Sequence, residues 1–363
     1  MILLLSIIIF IGIIAVIFVR LPPFGNYPMG ERLDRIHKSP NFRNGAFQNL
    51  STTPVMTMTD SYFDILKDFI FSKNNKPIDV IPSVKIDLFK IELNQNVLVW
   101  FGHSSYFMQI NGKRFLVDPV FSGSASPVSF TTRAFRGTDR YTIDDLPMID
   151  YLIITHDHWD HLDYKTVLKL RPKVERIITP LGVGSDFIHW GFDKFIITET
   201  DWGDRTNLGS GFILDTTPAR HFSGRAFIRN QTLWASYVLE TPTYKIFIGG
   251  DGGYDKHFAE IGQKFGPFNL AILEDGQYNR NWKYIHMSPG EVLQATKDLN
   301  ATRLLPVHNS KFTLSVHYWA EPLEMITQLN KEVGLSIITP LIGEQVNLDD
   351  NTQIFTEWWR GVR

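Results

Sequence analysis

The chain contains no cysteine. Disulfides and thiolate zinc sites are therefore both excluded, and any metal has to be held by imidazole nitrogen and carboxylate oxygen. Dense runs of Lys and Arg are also missing. With 36 basic against 38 acidic residues and a formal net charge of −2, the chain lacks the cationic footprint that neutralises a phosphate backbone, so nucleic acid is not an expected partner. There is no repeat at a fixed short period and no low-complexity tract. Histidine is scarce, 11 in 363 residues, which gives weight to any cluster of it. Hydrophobic residues at 44% and charged residues at 20% are ordinary for a folded globular body.

Residues 1–19, MILLLSIIIFIGIIAVIFV, carry no charge and, apart from Gly12, neither Gly nor Pro. As a helix rising about 1.5 Å per residue they reach roughly 28 Å, near the thickness of a bilayer core. A cleaved secretory signal would need a basic start and a small-x-small site, and neither precedes Arg20-Leu21-Pro22-Pro23. The segment is therefore expected to be an uncleaved transmembrane anchor. Arg20, Arg32, Arg35 and Lys38 follow it, and by the positive-inside rule they favour a cytoplasmic catalytic domain.

Residues 20–95 are rich in Pro, Asn, Ser and Thr, with one helix-like stretch near Ser61 to Phe71, and read as an extension wrapping a core. From Asn96 the texture changes to short β-rich runs, VLVWFG, SYFMQI and RFLVDPVF. The last two are separated by Asn111-Gly112, a hairpin turn signal. Strand-like and helix-like runs then alternate to about residue 348, which predicts an α/β sandwich of two sheets flanked by helices. Residues 349–363 read as a C-terminal tail.

The sharpest signal is Thr155-His156-Asp157-His158-Trp159-Asp160-His161, placed directly after the apolar run YLII. Alternate residues of an extended segment point the same way, so His156 and His158 can reach one ion together. Asp160 and His161, where the loop turns into the next helix, can face a second. Two ions require more donors than this loop supplies. His221 in TTPARHFSGR, Asp251 in FIGGDGGY and His308 in LLPVHNSKF each follow a β-run, at the strand ends where one layer of a sheet converges on a site. Without a metal, this loop would bury three imidazoles and two carboxylates at considerable cost.

This HxHxDH segment, followed by a His, an Asp and a His each after a strand, resembles the metallo-β-lactamase fold superfamily of dinuclear hydrolases, over roughly Val97 to Leu348. Within it the chain looks most like the N-acylphosphatidylethanolamine-hydrolysing phospholipase D group and its bacterial relatives. GHSSYFMQINGKRFLVDPVFSGSASP, LPMIDYLIITHDHWDHLDY, PARHFSGR, FIGGDGGY, EIGQKFGPFNLA and YIHMSPGE carry that resemblance. It implies an αββα sandwich and two Zn2+ per chain, with Fe or Mn able to take the same donors. One ion would be held by His156, His158 and His221, the other by Asp160, His161 and His308, with Asp251 bridging. Asp118 would orient a ligand histidine from behind. Two such ions share a water and lower its pKa towards about 7; Asp160 and Asp251 are the catalytic carboxylates, Asp160 accepting the proton.

The implied activity is phosphodiester hydrolysis of phospholipase D type, on N-acyl phospholipids, related lipids or a small-molecule phosphodiester, at a membrane engaged through residues 1–19. A lactonase or other ester hydrolase of the same fold, and a non-catalytic metal-binding membrane protein, are the alternatives. Tyr278 and His286 match the region where the phospholipase group contacts substrate, although Ser288-Pro289 also reads as a helix start. His103 is expected only to hydrogen-bond near the site floor. His37, His189, His257 and His317 read as surface or satisfied core, and Trp282, Trp319, Trp358 and Trp359 as core. LEDGQYN at 273–279 and HNS at 308–310 depart from the group's pattern, so the substrate pocket is expected to differ more than the metal site.

Overall fold

The structure, a computed structural model, describes residues 2–57, 60–72 and 75–363. Helix α1 (Ile2–Phe18) opens the chain with 17 residues. It ends where Val19 and Arg20 pass into a turn, the Arg20 amide bonding to the Ile17 carbonyl, and Leu21, standing before Pro22, is extended at φ −63° and ψ 146°, the conformation that a following proline imposes. Its length is then about 26 Å, short of the roughly 30 Å of a hydrocarbon core. Among the described residues, no helix is long and apolar enough to cross a membrane. The expected transmembrane helix over 1–19 is corrected accordingly to a shorter apolar helix, with Phe10 64% and Leu4 64% exposed.

The extension that follows carries α2 (Glu31–Lys38), a two-stranded hairpin of β1 (Phe42–Arg43) and β2 (Ala46–Phe47), and α3 (Tyr62–Phe71). Ser61 caps α3 by accepting from the Asp64 amide at 3.1 Å. The extension is packed onto the body. Ile36 and Phe47 are buried with Leu181, Leu233 and Trp234, and Arg32 pairs with Glu199 at 2.7 Å.

Two seven-stranded sheets form the body. The first holds β3 (Val97–Trp100), β4 (Tyr106–Ile110), β5 (Lys113–Val117), β6 (Ile149–Ile153), β7 (Val174–Pro180) and β8 (Ile197–Thr200), with α4 (Tyr164–Leu170) and α5 (Gly184–His189) outside it. The second holds β9 (Arg205–Gly209), β10 (Phe212–Thr217), β11 (Ser236–Glu240), β12 (Lys245–Ile248), β13 (Leu270–Glu274), β14 (Arg303–Val307) and β15 (Ser336–Ile337). It is covered by α6 (His257–Phe265), α7 (Pro289–Asp298) and α8 (Glu321–Val333). The last strand, β16 (Gln345–Asn347), returns to pair with β3.

Strand periodicity explains the layering, because successive side chains point to opposite faces. Leu98, Trp100, Tyr106, Met108 and Ile110 meet Tyr237, Leu239, Ile246 and Ile248 between the sheets. Val97, Val99 and Phe107 turn outward under α4 and α5, and Val238 and Phe247 under α6 and α7. Full burial of such side chains stabilises by about 1.5–3 kcal/mol each. The predicted hairpin joins β4 to β5, with Ile110 opposite Lys113 and both Asn111 and Gly112 at positive φ, as a tight two-residue turn requires. Trp319, Trp358 and Trp359 are core, so the final residues pack against the sandwich. In each sheet antiparallel strands give way to parallel ones, and the carboxyl ends of β6, β10, β12 and β14 carry the site.

Candidate metal centre

Each predicted donor leaves the end of a strand. Thr155 to His161 follow β6, His221 follows β10, Asp251 follows β12 and His308 follows β14. His308, His103 and Asp118 adopt left-handed backbone at φ 66°, 52° and 41°. Such conformations are costly for residues other than glycine, and they gather where a site must aim its side chains.

The seven predicted ligands converge in two groups. In the first, His158 Nδ1 lies 2.9 Å from His156 Nε2 and 3.2 Å from His221 Nε2. The supporting contacts fix which nitrogen carries the proton. His156 Nδ1 faces the Thr155 hydroxyl at 3.0 Å, and that hydroxyl donates to Asp118 Oδ2 at 2.6 Å. His221 Nδ1 donates to the Ile285 carbonyl at 2.9 Å. Both Nε2 atoms are thereby left with lone pairs aimed at His158. Burial pushes His156 and His221 well below the usual imidazole range and His158 to about 3, so all three are neutral, the form that binds a cation.

The second group brings together Asp160, His161, His308 and also His103. His161 Nδ1 donates to Asp118 Oδ2 at 2.8 Å, leaving Nε2 to face Asp251 Oδ2 at 3.1 Å and Asp160 Oδ2 at 3.5 Å. Burial works against a charge on His161, but Asp251, Asp160 and Asp118 outweigh it and hold a proton there. Asp251 sits between the groups. Its Oδ2 is 3.9 Å from His156 Nε2 and 3.8 Å from His221 Nε2, and its Oδ1 is 3.1 Å from His308 Nδ1.

Several of these atoms are buried with no hydrogen-bond partner, namely His158 Nε2, His161 Nε2, His308 Nε2 and Asp251 Oδ1. Buried polar atoms are seldom left so. Three neutral imidazoles in the first group, carboxylates crowded against His161 in the second, and polar atoms orphaned among them fit cations at this centre, one of which would take the place of the His161 proton.

His103 hydrogen-bonds at the site floor as expected. It is fully buried, its Nε2 donates to Asp160 Oδ2 at 2.9 Å, and its ring packs on His308 with centroids 4.1 Å apart. Glu274 was missed. It ends β13, receives His286 Nδ1 at 2.7 Å and the Met287 amide at 2.8 Å, and burial raises it well above the carboxylate range. The signal available was an acidic residue closing the apolar run NLAIL. His286 stands in the cavity over His221 and His308. Tyr278 is elsewhere: its hydroxyl donates to Glu321 Oε1 at 2.8 Å, its ring stacks on His317, and it is absent from the cavity lining.

The extension completes the site. Asn49 brackets the backbone of His221, donating to its carbonyl at 2.7 Å and accepting its amide at 3.1 Å, while Val55 and Met56 line the cavity. The cavity holds about 390 Å3 and exposes His158, Asp160, His221, Asp251, His286 and His308 beside Phe222, Trp282, Ile285 and Leu314. A larger hollow of about 520 Å3, between the foot of α1 and residues 224–232, contains none of the donors.

Residues 113–309 match the model of the "Beta-lactamase superfamily domain" family. The chain belongs to the beta-lactamase superfamily. An uncharacterized protein of Mycobacterium tuberculosis is 34% identical over 329 residues, covering 89% of this chain and 88% of that one. N-acyl-phosphatidylethanolamine-hydrolyzing phospholipase D 1 of Caenorhabditis elegans is 29% identical over 249 residues, covering 63% and 68%. Igni18, a metallo hydrolase of Ignicoccus hospitalis, shares the fold with a TM-score of 0.54 at 19% identity, covering 70% of this chain and 98% of that one. The superfamily is one of metal-dependent hydrolases, and the donors described above occupy the strand ends of its αββα sandwich.

Proposed function

We propose that the chain is a two-ion hydrolase of phosphodiesters, of phospholipase D type, acting on N-acyl phospholipids or related lipids at a membrane surface. One observation carries the reading: two donor groups share Asp251 at the base of a cavity with an apolar flank of Val55, Met56, Trp282, Ile285 and Leu314. Such a cavity accepts a charged reacting centre with an apolar substituent beside it. The likeness to a phospholipase that hydrolyses N-acyl-phosphatidylethanolamine supports the same substrate class.

Two zinc ions, when bound, supply Lewis acidity and an activated water. The chain's own residues do the rest. Asp160, steadied by His103 at 2.9 Å, takes the proton of the attacking water. Asp251 holds the two halves of the centre in register, Asp118 fixes the ring of His161, and His286, braced by Glu274 at 2.7 Å, contacts the substrate. The exposed apolar faces of α1 and of α3, where Phe63 is 75% and Phe71 69% exposed, hold the protein against lipid.

The test is metal content by mass spectrometry on wild type and His158→Ala, with turnover of bis(p-nitrophenyl) phosphate and of a simple lactone on the same samples. Close to two zinc ions per chain, falling together with phosphodiesterase activity in the variant, is the expected result. Lactone turnover alone would sink the phosphodiesterase reading, and protein without stoichiometric metal would sink the hydrolase reading with it.

A further inference from the structure

Three arginines follow one another on the segment that presents His221, and they are used differently. Arg220 is consumed by the extension and the loop after β12, donating to the Thr53 hydroxyl and to the Thr52 and Tyr254 carbonyls at 3.0 Å each. Arg225 is consumed by the Pro23, Asp157 and Leu162 carbonyls. Arg229 is not. Its guanidinium lies over the Phe222 ring, 4.9 Å from the centroid. It makes no hydrogen bond or ion pair among the described residues.

That position is built. Ser223 and Asn230 pin the segment, the Ser223 amide donating to Asn230 Oδ1 at 3.1 Å and the Asn230 amide to the Ser223 carbonyl at 3.0 Å. The Phe47 amide of the extension holds the Asn230 carbonyl at 2.9 Å. Phe222 in turn packs on both His158 and His221, with centroids 4.4 and 4.8 Å apart. One aromatic ring therefore separates an unpaired guanidinium from two donor imidazoles.

The position of Arg229 on the cavity wall gives it a use. Asp160 and Asp251 belong to the metal centre itself, and among the described lining residues Arg229 is the only Lys or Arg, the one side-chain cation placed to meet a substrate oxygen turned away from the centre. A guanidinium presents paired N–H donors that match two oxygens of a phosphate, and a charged hydrogen bond of this kind is stronger than a neutral one. We propose that Arg229 reads the charge of the substrate, binding a phosphate oxygen and selecting anionic phosphodiesters over neutral esters. The inference rests on the phosphodiester reading above and adds to it the residue that discriminates.

The experiment uses the full-length, metal-loaded protein as wild type, Arg229→Ala and Arg229→Lys. Binding of dibutyl phosphate, which lacks an activated leaving group, is measured by calorimetry, and kcat/KM is measured for bis(p-nitrophenyl) phosphate and for the neutral ester p-nitrophenyl acetate. In the Ala variant, dibutyl phosphate binding is expected to weaken about 10-fold, the loss of one charged hydrogen bond. The ratio of phosphodiester to ester kcat/KM is expected to fall by a similar factor, chiefly through KM. The Lys variant is expected to fall between, because it keeps the charge and loses the fork. Unchanged dibutyl phosphate binding in the Ala variant overturns the inference, as does no binding to wild type or an equal loss on both substrates. A wild type that binds dibutyl phosphate through Arg229 yet fails to hydrolyse the phosphodiester leaves the inference standing and overturns the phosphodiesterase reading.

Discussion

In the group of His156, His158 and His221 every donor is an imidazole, and the atoms that hold two of those rings are a hydroxyl and a carbonyl oxygen. In the group of His103, Asp160, His161 and His308 a carboxylate is itself a donor, and another carboxylate, Asp118, fixes the orientation of His161. The first is neutral and organised by tautomers; the second is charged and organised by ion pairs. The two differ in what can disturb them. Proton competition threatens the first, while loss of a single carboxylate threatens the second. Asp251 is the member they share.

The largest effect should come from removing what is shared. Asp251→Ala is expected to reduce bound metal from about two ions to less than one, with phosphodiesterase kcat/KM falling by about 1,000-fold or more. Metal analysis and turnover on one preparation measure both. Retention of two ions would break the idea of a common bridge.

A smaller and asymmetric effect is expected from Asp118→Asn. The amide preserves shape but has a single acceptor oxygen; if that oxygen keeps the Thr155 hydroxyl and His161 Nδ1, its NH2 is turned on the Thr155 amide, and in either orientation it no longer offers His161 a charged acceptor. Affinity for one ion should weaken about 10- to 100-fold, as for other supporting groups behind metal ligands, while the second ion is held more nearly as before. Titration with a competing chelator resolves the two. Equal weakening of both would erase the distinction between the groups.

The smallest effect is in pH dependence, where His158 of the first group and His161 of the second act with opposite sign. In metal-free protein, burial depresses His158 to about 3, against about 6.5 when unfolded. The unfolded state then binds more protons, so stability contributed by the neutral ring is lost as pH falls from 6.5 towards 3, by at most about 1.4 kcal/mol per pH unit. His161 opposes this. Burial lowers it, but Asp251, Asp160 and Asp118 raise it well above 6.5, so its contribution is present below 6.5 and lost as pH rises through the folded value. Urea midpoints of chelated wild type and His158→Ala between pH 7 and 4 should show the shallower decline in the variant. Identical slopes would mean that the burial of His158 is not what sets its protonation.

The candidate donors that the structure brings together were legible because they stand in loops that follow apolar runs, and the chain has few histidines to confuse the pattern. What could not be read depends on approach in space. His103 meets Asp160 across 57 positions and Asn49 meets His221 across 172, and no local spacing encodes either. Tyr278 was expected at substrate by likeness of sequence, yet Glu321 at the start of α8 captures its hydroxyl. The layering of the sandwich followed from alternation along strands such as β4 and β11, whereas α1 was overestimated because an apolar count does not register where the helix tightens into the turn at Val19 and Arg20.

Arg225 gives the extension a mechanical meaning. One of its nitrogens grips the Asp157 and Leu162 carbonyls on either side of the metal loop, while Nε and Nη2 grip the Pro23 carbonyl, and its plane lies 3.9 Å from the centre of the Trp159 ring. Phe24 presses on the same tryptophan, with centroids 5.0 Å apart. A load applied at the foot of α1 is therefore transmitted to the loop between His158 and Asp160 through a rivet rather than a tether. For anyone shortening the chain, Leu21 marks the border: a cut before it leaves the rivet seated, and a cut beyond Pro23 strips a buried guanidinium of one of its three carbonyls and loosens the loop that carries four of the seven candidate donors.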